Sequence, residues 1–191
     1  MAIANPKTEI PGYVKGTWAI DPVHSDVSFS VRHMMVSKVR GRFSKFEGTI
    51  RTGDDLVDSA VEASIDMGSI DTNNEQRDGH IRSADFFDAS IYPTMSYRSL
   101  RVRPSGDGYV VEGDLTLHGV TKPVTFFLEL NGFGPDPYGG TRSGFSATTE
   151  INRTNWDVSY NGPIPGASNG MVLSDKVTIN LEIEAVLSQG E

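Results

Sequence analysis

The stretch T-W-A-I-D-P-V-H-S-D-V-S-F-S-V-R-H-M-M-V-S-K-V-R-G-R, running from Thr17 to Arg42, decides the fold. Within it Val27, Phe29, Val31 and His33 alternate with Ser28, Ser30 and Arg32. Successive side chains of a strand point to opposite faces, so this is a strand with an apolar inner face and a polar outer one. Just ahead of it, Asp21-Pro22-Val23-His24-Ser25 reads as a tight turn or a single helical turn. Pro22 fixes φ there, and the Asp21 carboxylate can accept backbone N–H bonds from two or three residues on.

Extending the reading in both directions gives one strand over Trp18–His33 and a second over Met34–Ile50, with Gly41 and Gly48 expected at bulges or bends. A turn at Thr52–Asp55 leads into a third strand, Leu56–Met67, with Ser59, Val61, Ala63 and Ile65 on one face. The period then changes. Asn73 and Gln76 have the spacing of a capping box and predict a helix through about Ser83, followed by a second turn at Ala84–Asp88. Five further strands are expected over Thr94–Arg103, Tyr109–Gly119, Val124–Asn131, Ser143–Arg153 and Val172–Leu187, the last two separated by a Gly/Pro/Asn-rich loop at Tyr160–Gly170. Antiparallel strands joined by short turns must remove their edges, and eight of them close into a barrel just wide enough for its own side chains or one small ligand. The fold class read here is all-β, an eight-stranded antiparallel barrel with one helical insertion between strands 3 and 4. Residues 1–16 form an N-terminal arm and residues 17–191 the barrel.

Composition narrows the function. A 191-residue chain that is 37% hydrophobic and 22% charged fits one globular domain. The net charge of -8 disfavours nucleic acid or an anionic membrane as a partner, since both call for a basic footprint. Basic clusters at Lys38/Arg40/Arg42/Lys45 and Arg98/Arg101/Arg103 read as a solvated outer sheet face. There is no cysteine, which removes disulfides, thiolate metal ligands and a cysteine nucleophile. No run approaches the ~20 apolar residues of a membrane helix, and no secretion signal is visible, so the expected location is cytoplasmic, or periplasmic if a leader has been removed.

Five blocks in order carry a resemblance: W-A-I-D-P-V-H-S-D-V-S-F-S-V-R-H at Trp18–His33, G-R-F-S-K-F-E-G-T-I at Gly41–Ile50, R-D-G-H-I-R-S-A-D-F-F-D-A-S-I-Y-P at Arg77–Pro93, G-D-L-T-L-H-G-V-T-K-P-V at Gly113–Val124 and T-I-N-L-E-I-E-A at Thr178–Ala185. Together they resemble the YceI-like family of lipocalin-like, isoprenoid-binding proteins. The family's Arg-x-x-aromatic-Gly appears as Arg153-Thr154-Asn155-Trp156-Asp157, with Asp157 in place of the glycine. The resemblance implies a barrel that binds, sequesters or transports a long apolar chain (polyisoprenoid, isoprenoid quinone or fatty amide), without catalysis or a cofactor, in a family whose barrels often pair as homodimers. Burying a methylene is worth ~0.8 kcal/mol, so a dozen buried carbons outweigh a typical association cost.

The expected cavity lining is Val27, Phe29, Val31, Met34, Phe43, Phe46, Phe86, Phe87, Leu115, Leu117, Phe127, Trp156, Ile179 and Leu181, with His33 capping it as a donor to a headgroup. Plain core packing is the alternative for any one of them. The histidines His24, His33, His80 and His118 show no local metal-ligand spacing. A second reading is a small barrel enzyme with a histidine-based, metal-binding site at the barrel mouth, built from His24, His33 and His80. A third is a stress-related interaction module whose interior is filled by its own side chains. The sequence has no G-x-S-x-G and no phosphate-cradling loop before a helix.

Overall fold

A computed structural model of the chain describes residues 9–163 and 171–188. Residues 1–8 of the expected arm and residues 164–170 of the Tyr160–Gly170 loop lie outside the described residues. In chain order the strands are β1 (Gly16–Ile20), β2 (Asp26–His33), β3 (Ser37–Phe43), β4 (Phe46–Thr52), β5 (Ala60–Asp66), the short β6 (Ile70–Asp71), β7 (Thr94–Ser105), β8 (Gly108–Leu117), β9 (Val120–Pro135), β10 (Thr141–Asn152) and β11 (Leu173–Leu187). The helix α1 spans Glu75–Arg82, and 3-10 turns occupy Leu56–Asp58, Met67–Ser69 and Arg153–Trp156. No helix among the described residues is long and apolar enough to cross a membrane.

All neighbouring strands pair antiparallel, in the order β1-β4-β5-β7-β8-β9-β10-β11, and β11 pairs again with β1, which closes the ring into an eight-stranded barrel. β11 carries both halves of the first expected strand on one edge: Leu187–Ala185 face β1, while Glu182–Val177 face β2. The expected strands Trp18–His33 and Met34–Ile50 are therefore each one strand broken once, at Asp21–Ser25 and at Ser44–Lys45. The hairpin β2–β3 continues the wall past the closed ring and ends in the pairing of β3 with β6.

Side-chain size explains two glycines that were expected to mark bulges. Gly41 and Gly48 sit in unbroken register. A Cβ on Gly41 would lie 2.5 Å from the ring of Phe29, and one on Gly48 would lie 2.5 Å from Ile20 Cδ1. Both glycines make room for a neighbour's side chain. The register shifts fall instead at Ser99/Arg101, at Gly144/Phe145 and between Leu173 and Val177. The helix also starts one residue later than its capping box implied. Asn74 is the N-cap, accepting from Arg77 N at 2.9 Å, whereas Asn73 adopts a left-handed φ of 62°. Asp157 takes the same left-handed region, φ 59°, a conformation that glycine adopts without strain.

Two polar clusters hold the strands in place. At the β1 end of the barrel Trp18 is fully buried and its Nε1–H donates to Thr52 Oγ1 at 2.9 Å. That hydroxyl also donates to Val14 O at 2.7 Å and accepts from Gly16 N, so one threonine fastens the indole and the arm. On the outer wall, Asp21 accepts from Val23 N, from His24 Nδ1 and from Arg142 Nη1. Arg142 also donates to Asp136 and Glu184. The sequence D-P-V-H thus works as a clamp that turns the chain from β1 into β2 and ties the turn to β10 and β11.

These contacts set two expectations. Thr52→Val leaves a buried indole N–H without a partner, and urea unfolding should show a loss of about 1–3 kcal/mol; a loss below ~0.5 kcal/mol would show that the hydroxyl is dispensable. The bond to Arg142, followed by that to His24, holds the Asp21 carboxyl well below the usual carboxylate range. A group depressed on folding adds stability above its unfolded pKa, near 3.9, and that stability drains away as the pH falls below about 4. Asp21→Asn should be less stable than wild type at pH 7 and should lose less on acidification; parallel stability–pH curves would contradict the clamp.

Candidate functional site

Alternation puts one apolar face of every barrel strand inward, and the size of those side chains decides whether the interior fills. The structure has an interior cavity of about 170 Å³ bordered by all eight ring strands. The space is many times the ~30 Å³ share of one water, and apolar cavities near 150 Å³ stay dry and accept apolar molecules. Small residues stand inward where it opens: Ala63 lies between Gly48 and Tyr97, and Ala147 lies between Leu128 and Leu181. Inward residues such as Val61, Ile179 and Leu181 are only half-buried because they border this space.

Polar groups are turned out of the cavity. Tyr97 is in the wall, but its hydroxyl donates to Val124 O at 3.0 Å and to Val111 O at 3.3 Å, crossing Gly113, where a Cβ would sit 2.6 Å from the phenolic oxygen. Burial, then Asp114 and Glu112, pushes that phenol well above its ordinary range, so it stays protonated. The one wall carboxylate, Glu47, belongs to an exposed residue.

Aromatic residues cluster toward both ends. At the β1 end Phe133 packs edge-on to Tyr13, Trp18 and Phe145, with centroids 5.1, 5.5 and 6.1 Å away. At the helix end Phe29, Phe43 and Phe87 follow one another at 5.8 and 6.3 Å, and Phe86 packs against His80 and Tyr160. Trp156, 2% exposed, donates its Nε1–H to Leu115 O at 3.0 Å. Arg153 beneath it is 5% exposed and donates to the carbonyls of Val158, Tyr160 and Ser174, which orders the chain leaving β10.

Five of the expected lining residues border the cavity: Val27, Phe46, Leu115, Ile179 and Leu181. The others do not. Phe29, Phe43, Phe86, Phe87, Leu117 and Trp156 pack in or against the hydrophobic core instead. Val31 and His33 lie farther out on the hairpin, His33 paired with Ser37 and Leu173, so His33 caps no cavity. Met34 is in the hairpin turn, 38% exposed. Phe127 faces outward and is 60% exposed, since Phe126 and Leu128 are the inward residues of β9. Sequence reasoning omitted Ile20, Ile50, Leu56, Met95, Tyr97, Val102, Val111, Phe126, Leu128, Phe145, Ala147 and Ile183 from the wall. It assigned Val61, Ala63 and Ile65 to one face without nominating them. For most of these the signal was the parity of their own strands.

The histidines do not assemble. Among the described residues the one group of three metal-capable side chains is Asp21, His24 and Glu184, which contains neither His33 nor His80. Its centre is taken by a cation already, Arg142 Nη1, 2.8 Å from each carboxylate. His80 Nε2 pairs with Asp85 at 2.8 Å, and His118 forms the β8–β9 turn, where its Nδ1–H donates to Trp156 O at 3.1 Å. The expected His24/His33/His80 metal site is therefore not formed.

Comparison with known proteins agrees with this architecture. Residues 18–185 match the YceI-like domain. A UPF0312 protein of Vibrio cholerae is 43% identical over 141 residues, covering 73% of this chain and 75% of that one. A UPF0312 protein of Vibrio parahaemolyticus is 40% identical over 165 residues, covering 85% and 82%. Among solved structures, Burkholderia cenocepacia BcnA superposes with a TM-score of 0.74 at 24% identity, over 86% of this chain and 98% of that one. A polyisoprenoid binding domain from Saccharophagus degradans, implicated in plant cell wall breakdown, gives a TM-score of 0.68 at 16% identity, over 92% and 100%. A closed eight-stranded barrel and a domain match over nearly its whole length give one conclusion: the chain belongs to the YceI-like family.

Proposed function

We propose that the protein binds a long apolar chain of the polyisoprenoid, isoprenoid-quinone or fatty-amide class inside its barrel and sequesters or carries it without chemical change. The observation that carries this reading is an interior cavity whose wall presents apolar surface from every ring strand. Such a wall rewards methylenes and methyls at ~0.8 kcal/mol each and gives a polar or charged ligand nothing to bond. The polyisoprenoid-binding neighbour supports the same ligand class. The wall's phenol is held by backbone carbonyls and offers no free general acid or base. A filled interior, which the interaction-module reading requires, does not fit a space of about 170 Å³.

Uptake of a radiolabelled polyprenol by delipidated protein tests the reading. Ala147→Trp places an indole in the cavity, and displacing even two buried methylenes should weaken uptake by about tenfold. Phe127→Ser, on the outer face, should leave uptake unchanged while circular dichroism shows both variants folded. Equal uptake by wild type and Ala147→Trp would place the ligand elsewhere.

A further inference from the structure

The hairpin joining β2 to β3 breaks two rules at once. Its turn, closed by Val36 N–H to His33 O at 3.2 Å, holds Met34 at φ 51° and Met35 at φ 62°. A turn with two left-handed residues favours Asn-Gly, and methionine is a poor occupant of either place. The same residues are exposed: Met35 at 64% and Val36 at 83%, with Met171 beside them at 47%. Met171 is next to Val172, whose carbonyl accepts from Met34 N at 2.7 Å. The chain thus holds an unfavourable backbone conformation in order to present unbranched, adaptable apolar side chains to the outside.

Charge says what they meet. Residues 26–43 hold four cations, Arg32, Lys38, Arg40 and Arg42, against the single carboxylate of Asp26, in a chain whose net charge is -8. All four cations face outward by the parity of their strands, and Arg32 stands directly opposite Lys38. Like charges placed opposite one another destabilise a strand pair. Among the described residues Arg42 has a carboxylate within ion-pair distance, Asp71 at 3.6 Å, while Arg32, Lys38 and Arg40 have none. Charges on β3 would serve to guard its free edge against pairing. That purpose does not account for Arg32, on a strand paired on both sides, or for the apolar tip. An apolar tip followed by a cationic band fits an interface that is oily first and anionic just behind, which is the leaflet of an anionic bilayer.

We infer that the Met34–Val36 hairpin tip inserts into the surface of an anionic phospholipid membrane, with Arg32, Lys38 and Arg40 seated among the headgroups. The contact does not depend on what the cavity holds. Flotation of the full chain with vesicles tests it, using phosphatidylcholine with and without phosphatidylglycerol at low and high salt. Wild type should float with the anionic vesicles at low salt and partition about tenfold less onto neutral vesicles or in high salt. The double variant Met34→Asn/Met35→Gly gives the turn the residues its φ angles favour. It should melt no lower than wild type yet lose about tenfold in partition, which separates membrane contact from folding. Arg32→Glu/Lys38→Glu should abolish the preference for anionic vesicles, and Ala147→Trp should float as wild type does even where polyprenol uptake fails. Wild type indifferent to lipid charge, or a turn variant that floats undiminished, would overturn the inference. So would hairpin-dependent self-association in sedimentation velocity without vesicle binding, which would make the tip a contact between copies.

Discussion

Closure of the sheet governs everything else. β11 must pair with β10 on one edge and with both β1 and β2 on the other, and only the break at Asp21–Ser25 lets one chain supply both partners. Once the ring is shut at eight strands its bore is fixed, and the volume of the inward side chains decides between a solid core and a hollow. Here ring clusters stand toward the ends, Trp18, Phe133 and Phe145 at one and Phe43, Phe86, Phe87 and Trp156 at the other, while Ala63 and Ala147 face inward between them beside Phe46, Tyr97 and Phe126. A hollow barrel with aromatic clusters toward both ends is the outcome of that distribution.

The polar residues follow from the same geometry. A bent strand exposes backbone groups and needs a fastening, which the Asp21–Arg142 cluster supplies on the outside of the wall. A buried indole needs an acceptor, and each of the two here finds one in the scaffold: Thr52 for Trp18, the Leu115 carbonyl for Trp156. Arg153, the buried cation of the motif that follows β10, bonds three carbonyls and so shapes the chain end beside Trp156. Residues that stand out in the sequence as candidate chemistry (His24, His80, His118) are accounted for as turn and cap partners in the fold.

Much of the fold was legible in the sequence because strand parity survives any tertiary context. The alternation of Val177, Ile179, Leu181 and Ile183 in β11, and of Val61, Ala63 and Ile65 in β5, reads directly as inside against outside. The site was less legible, for two physical reasons. Parity gives the face of a residue but not its height: Val27 and Phe29 share a face, yet Val27 borders the cavity and Phe29 lies over Gly41 in the aromatic cluster. Where apolar residues run consecutively, as in Val124-Thr125-Phe126-Phe127-Leu128, the face depends on pairing: Gly113 opposite Val124 fixes the register, and Phe127 falls outside. Of the aromatic residues nominated as lining, Phe46 alone borders the space, beside small residues such as Ala63 and Ala147.

The account rests on the cavity being occupied by an apolar chain in the protein's own host. Intact-mass spectrometry of protein purified without detergent, under conditions that preserve non-covalent complexes, reads this directly. One apolar molecule per barrel, released by organic solvent and identified as a long hydrocarbon chain, is the result the account predicts. A barrel that flies at its bare polypeptide mass, and takes up no polyprenol when one is offered, would contradict it.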